Sequence, residues 1–241
     1  MRLGFKPIST ESSHPVVTRS PASSDVRQEG PPMTVLDTAH HDSDAPTGAR
    51  SAPVDAARVR ALGITLAVAS PLWAAATAVF GEVVDFGWKT VLAGVAALVF
   101  QGALMMLLRV QERAGAMSKP GSARRLATIG YRVEYALLAG AVVSTVLDTF
   151  VLLHGSVIWA VFDACWPLSM LGMMIIGVRV AIAGRWQGAL RWQTLFAQSW
   201  LIWGIPLMGL GTVGEIGMVA QVVLGYAALG VMLALHPERT R

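Results

Sequence analysis

Six apolar runs punctuate the chain at about 61–80, 90–108, 131–153, 157–183, 194–210 and 217–235. None carries a polar residue every three to four positions, as a helix half-covered by water would. Each is near the roughly 17–25 residues that cross a hydrocarbon layer as a helix. Lipid offers the backbone no hydrogen-bond partner, so a crossing segment of this length satisfies its amides internally. The pattern therefore predicts an all-α integral membrane bundle of six transmembrane helices over residues 58–236. It is flanked by a tail, 1–57, and a short polar end, 237–241.

The third and fourth runs are joined only by His154-Gly155-Ser156, which makes them antiparallel neighbours. In the third, Ala136, Gly140, Ser144 and Asp148 recur every four residues and share one helix face. Small residues let a second helix approach closely, so this face is expected to be packed and Asp148 to point inward. Asp163 lies six residues into the fourth run, and at a rise of about 1.5 Å per residue both acids sit roughly 8–9 Å from the same end. An acid inside a span costs about 2.5–3.5 kcal/mol on insertion scales, which marks Asp148, Asp163 and Ser144 as a candidate intramembrane polar site. Two readings fit that site. The acids handle protons or cations, sharing one proton if they are adjacent, or they are packing groups bonded to Ser144, Ser169, Thr145 or a tryptophan N–H.

Composition supports a membrane setting: 54% of the 241 residues are hydrophobic and 14% charged. The net charge of +4 reflects topology more than an anionic partner, because of the nineteen basic residues only Lys89 falls in a connection after the first, third or fifth run. The positive-inside rule then places both termini in the cytoplasm. The lipid bilayer is the expected partner, and no nucleic acid is. Trp88 and Trp159 are expected at one interface and Trp186 and Trp192 at the other, as anchors. Sixteen Arg against three Lys, with no Asn, suggest a GC-rich bacterial coding sequence. Residues 1–57, rich in Ser, Pro, Thr and Asp without hydrophobic period, read as disordered. Met33 is a second candidate start within them.

The remaining motifs point to no chemistry. A single cysteine, Cys165, excludes intrachain disulfides and paired-cysteine metal sites. His40-His41-Asp42 lies in the tail and reads as solvated chain. His154 and His236 fall at opposite ends of the bundle, so they share no haem. Met170, Met173 and Met174 read as packing. The sequence from Gly209 to Gly214 spells GxGxxG but follows a Trp- and Pro-containing run where dinucleotide binding needs a strand. It reads as a turn. Glu215 favours a helix N-terminus, and Glu134 is expected to pair with Arg132 or a basic loop residue. Pro71 and Pro167 hint at an inverted repeat of three-span halves. No cofactor, metal or catalytic constellation is expected.

Asp163-Ala-Cys-Trp166-Pro167-Leu168-Ser169-Met170, followed by Gly184-Arg185-Trp186-Gln-Gly188 and Arg191-Trp192, resembles uncharacterised six-span integral membrane proteins of actinobacteria. The resemblance covers roughly residues 60–235 and implies a six-span bundle in a bacterial plasma membrane. It implies no activity. The expected role is accessory or assembly, with basic loops on anionic lipid; the alternative is a small proton- or cation-coupled transporter using Asp148 and Asp163.

Overall fold

The computed structural model describes residues 54–80, 85–119 and 124–240. The tail through Pro53, including His40-His41-Asp42 and Met33, lies outside the described residues. All regular structure among those described is helical: α1 Ala56–Phe80, α2 Trp88–Arg113, α3 Arg124–Thr149, α4 Val157–Asp163, α5 Cys165–Ala183, α6 Ala189–Gln198, α7 Trp200–Met208, α8 Thr212–Val222 and α9 Ala228–Leu235. A π-helical turn, Val223–Ala227, fuses α8 to α9, and a 3-10 turn, Pro237–Thr240, follows.

Local chemistry explains where the helices start and break. Asp55 accepts the Ala57 amide at 3.0 Å and caps α1, which therefore begins five residues before the expected apolar run. Pro71 lies inside α1, and one turn of carbonyls there is served by Ser70, whose hydroxyl donates to Leu66 O at 2.6 Å. Pro167 has no N–H for the carbonyl four residues back, that of Asp163, and the chain turns at Ala164 between α4 and α5. Ser156 caps α4 by accepting the Trp159 amide, and Gly184 closes α5 at φ +67.

Two boundaries differ from the expectation. α3 ends at Thr149, so the connection to α4 is longer than the three residues expected, and Val151 and Leu153 within it adopt φ +52 and +56. Those left-handed values are costly for non-glycine residues. The fifth apolar run is two helices, α6 and α7, meeting at Ser199, with Pro206 inside α7.

Neighbouring helices close a ring. α1 packs on α9 and α2, α2 on α3, α3 on α5, α5 on α6, and α6 returns to α9 and the π turn; α7 and α8 form a hairpin at one end. The ring is drawn tightest where α1 meets α9. A Cβ on Gly63 would lie 2.5 Å from the Gly230 carbonyl oxygen, and one on Gly230 2.6 Å from that of Gly63. Val59, Leu62, Leu66, Leu229 and Leu233 seal this crossing, all fully buried.

The outside of the ring is apolar. Val68, Val79, Val157, Ile158, Ile205, Ile216 and Leu235 are all exposed. A soluble surface rarely carries such patches, whereas lipid solvates them without cost. Five stretches, Ala56–Phe80, Trp88–Arg113, Arg125–Thr149, Val157–Ala183 and Thr212–Leu235, are long and apolar enough to cross a membrane. The chain is a multi-pass membrane protein.

Candidate functional site

Where α1, α2, α3 and α5 meet, a cleft of about 310 Å³ opens, lined by Trp73, Thr77, Thr90, Ala93, Gly94, Ala97, Thr145, Asp148, Thr149 and Trp166. Its width depends on Gly94, where a Cβ would collide with the Thr149 hydroxyl. Its floor is aromatic: Trp73 stacks on Phe100 at 4.8 Å and on Trp166 at 6.2 Å, and Phe100 meets Tyr226 edge-on at 5.3 Å.

Asp148 is the one charged side chain on the lining. Trp159 Nε1 donates to its Oδ1 at 2.5 Å and Ser144 Oγ to its Oδ2 at 3.5 Å. His154 Nδ1 stands 4.0 Å from Oδ1, its ring tilted on that of Trp159. The carboxylate remains 43% exposed, so it is held but reachable.

The threonines sharpen the electrostatics. Thr77 donates its hydroxyl proton to Trp73 O at 3.0 Å, Thr90 to Asp85 O at 2.7 Å, Thr145 to Ala141 O at 3.0 Å and Thr149 to Thr145 O at 2.6 Å. A hydroxyl has one proton and two lone pairs, so each is left as an acceptor. Thr145 Oγ1 is then filled by Gln101 Nε2 at 2.8 Å and Trp166 Nε1 at 3.3 Å. Among the described residues no donor fills the lone pairs of Thr77, Thr90 and Thr149, and with Asp148 they make the cleft electron-rich.

Of the three residues singled out by sequence, the structure joins two. Ser144 is buried and bonded to Asp148. Asp163, half-buried at the end of α4, bonds to neither and has no hydrogen bond or ion pair among the described residues. Within the predicted small-residue face, Gly140 does receive a neighbour, since a Cβ there would lie 2.5 Å from Cys165 Sγ, while Ala136 is exposed. Trp88 and Trp192 are exposed beside Lys89 and Arg191, as anchors should be; Trp186 is fully buried instead. The GxGxxG sequence forms the turn from α7 into α8. Among the described residues, no group of three or more His, Cys, Asp or Glu could hold a metal.

Sequence reasoning missed the most deeply buried acid. Glu134 is 1% exposed, and Arg132, its expected partner, is exposed and forms no ion pair with it. Ser169 Oγ donates to Glu134 Oε1 at 2.6 Å, and Oε2 rests on Gly172, where a Cβ would collide with it. Ser169 and Gly172 are three apart on one run, a socket whose spacing was readable, but only the rotation of α5 against α3 identifies its occupant. Farther along α5, Gln198 Nε2 contacts Gln111 Oε1 at 3.4 Å and Met173 Sδ at 3.9 Å, extending the polar interior.

No family model, curated protein or solved structure matches the chain. The fold and the cleft define a multi-pass helical membrane protein with an acidic, aromatic-floored cleft between its helices.

Proposed function

We propose that this is a small transporter of the bacterial plasma membrane that admits a cation to the Asp148 cleft. One observation carries the reading. The cleft threonines donate their protons to backbone carbonyls, leaving lone pairs and one reachable carboxylate to face whatever enters. Such a lining favours a cation and repels an anion. Asp148 binds it, Ser144 and Trp159 orient the carboxylate, and the Phe100–Trp73–Trp166 stack closes the path beneath.

In this reading the chain crosses six times with both termini cytoplasmic. The end-to-end pair α6 and α7 makes the fifth crossing, and the distribution of Lys and Arg supports the orientation. The α3–α4 connection then faces outward and the cleft with it.

The test is cation flux into proteoliposomes, measured for wild type, Asp148→Asn and Asp163→Asn, with folding followed by circular dichroism. Flux lost in folded Asp148→Asn and retained in Asp163→Asn is the expected result. Wild type that carries no monovalent or organic cation would overturn the transport reading in favour of an accessory role in the membrane.

A further inference from the structure

We propose that Glu134 is a proton-binding site inside the bundle, one that takes up and releases a proton on the side of the α2–α3 connection. The site does not depend on a cation in the Asp148 cleft.

The socket is built for one carboxyl. Ser169 supplies a single hydroxyl donor to Oε1, and Gly172 leaves room for Oε2 where any side chain would exclude it. Oε2 is buried without a hydrogen-bond partner among the described residues. A carboxylate removed from water needs a cation or several donors, and this one has neither. A proton on Oε2 removes the charge and leaves a neutral O–H, whose burial costs far less than that of a carboxylate.

The groups facing Glu134 fit proton exchange and not a fixed ion pair. From the π turn comes Tyr226, fully buried, within electrostatic reach of the carboxyl and with its own hydroxyl unpartnered. From α5 comes only the Ser169 hydroxyl. On α3 itself Tyr131 lies one turn toward the α2–α3 connection, on the same face, its hydroxyl also buried and unpartnered. Beyond it stands Glu112 of α2, half-buried, accepting from Tyr135 Oη at 3.3 Å, with Arg109 and Arg113 near that tyrosine. Tyr131 and Glu112 therefore mark a short route from the aqueous side. In the other direction Leu138 and Ala141, both fully buried, separate Glu134 from Thr145 and the cleft. A proton from water passes Glu112 and Tyr131, forms an O–H bond at Oε2, and leaves by the same route.

Infrared difference spectroscopy of the folded protein in lipid, with pH as the perturbation, tests this directly. A protonated carboxylic acid has its own C=O stretch, distinct from a carboxylate's. Wild type and Asp148→Asn are expected to show such a band that titrates, and Glu134→Gln to lose it. Ser169→Ala removes the hydrogen bond to Oε1 and is expected to move the band to higher frequency. A titrating band unchanged in Glu134→Gln, or absent from wild type, overturns the proposal. If Glu134→Gln does not fold, the Ser169→Ala band decides, and an unshifted band overturns it too. Loss of flux in Asp148→Asn with the Glu134 band intact separates this site from the cleft.

Discussion

Replacing Gly63 by alanine tests the crossing that closes the ring. The new Cβ would sit 2.5 Å from the Gly230 carbonyl oxygen and also against the backbone of Ala234. Ordinary contact begins at 3.4 Å and the nearest backbone atom, Ala234 N, would lie closer still, so α1 and α9 must part by about 1 Å. Backbone cannot swing aside as a flexible side chain can. A gap of about 0.5–1 Å forfeits a quarter to a half of each dispersion contact across it. The side chains affected are Val59, Leu62, Leu66, Leu229 and Leu233, all without exposed surface. Overpacking of this kind costs about 1–3 kcal/mol, and with five sealed side chains affected we expect about 2 kcal/mol. Reversible unfolding by SDS in mixed micelles, followed by circular dichroism, reads this difference. Gly102, with no atom within 4 Å of a Cβ, is the control; its alanine variant is expected to be neutral or to gain up to about 1 kcal/mol from helix propensity. Gly63→Ala and Gly230→Ala each force α1 and α9 apart at the same crossing, so the double variant should lose less than the sum. Gly63→Ala within about 0.5 kcal/mol of wild type would refute the reasoning, since that is the range of substitutions touching nothing.

Trp159→Phe removes the indole donor 2.5 Å from Asp148; because the carboxylate is partly exposed, we expect about 1 kcal/mol less stability and weaker cation binding, read by unfolding and by isothermal titration. Gln193→Leu deletes the amide that donates to Leu224 O at 2.7 Å and Gly225 O at 2.9 Å, and is expected to cost about 1–3 kcal/mol for the two bonds, with faster amide exchange across the π turn. Val151→Gly relaxes a β-branched residue at φ +52 and should stabilise by up to about 1 kcal/mol, net of glycine's larger unfolded entropy. In the polar end, the Glu238 carboxyl is held below its usual range by its own backbone amide first and then by His236, whose Nδ1 lies 3.3 Å from Oε1. A depressed folded value means the contact is present above the ordinary carboxylate range and lost as pH falls through the folded value; the protection of the amides of residues 238–240 relative to their intrinsic exchange rate should fall on acidification, and protection unchanged with pH would contradict this.

The helices were legible because hydrophobic length is a one-dimensional signal: α1, α2 and α9 fall on runs any hydropathy window finds. Asp148 was legible too, since an acid after three small residues on one face declares itself. What could not be read is rotation about helix axes. Asp148 and Asp163 share a depth, but α4 and α3 do not bring them into contact, and Glu134 looked like a loop-end acid until α5 turned Ser169 and Gly172 toward it. Asp55 caps α1, but composition grouped it with the tail. The break at Ser199 has no proline at its site, and it shows only when α6 is seen to pack on α5 and α9 while α7 packs chiefly on α8.

The π turn at Val223–Ala227 acts as a phase setter for everything after it. It adds one residue to the helical winding, which is worth about 100° of rotation at 3.6 residues per turn. Gly230 reaches Gly63 only with that offset in place. Straightening this turn to regular α winding with every residue kept would point Gly230 away from α1, whereas deleting Leu224 along with the bulge would bring it back. The closure of the ring is thus stored as an angle in one turn, and Gln193, on a different helix, is the latch that holds it.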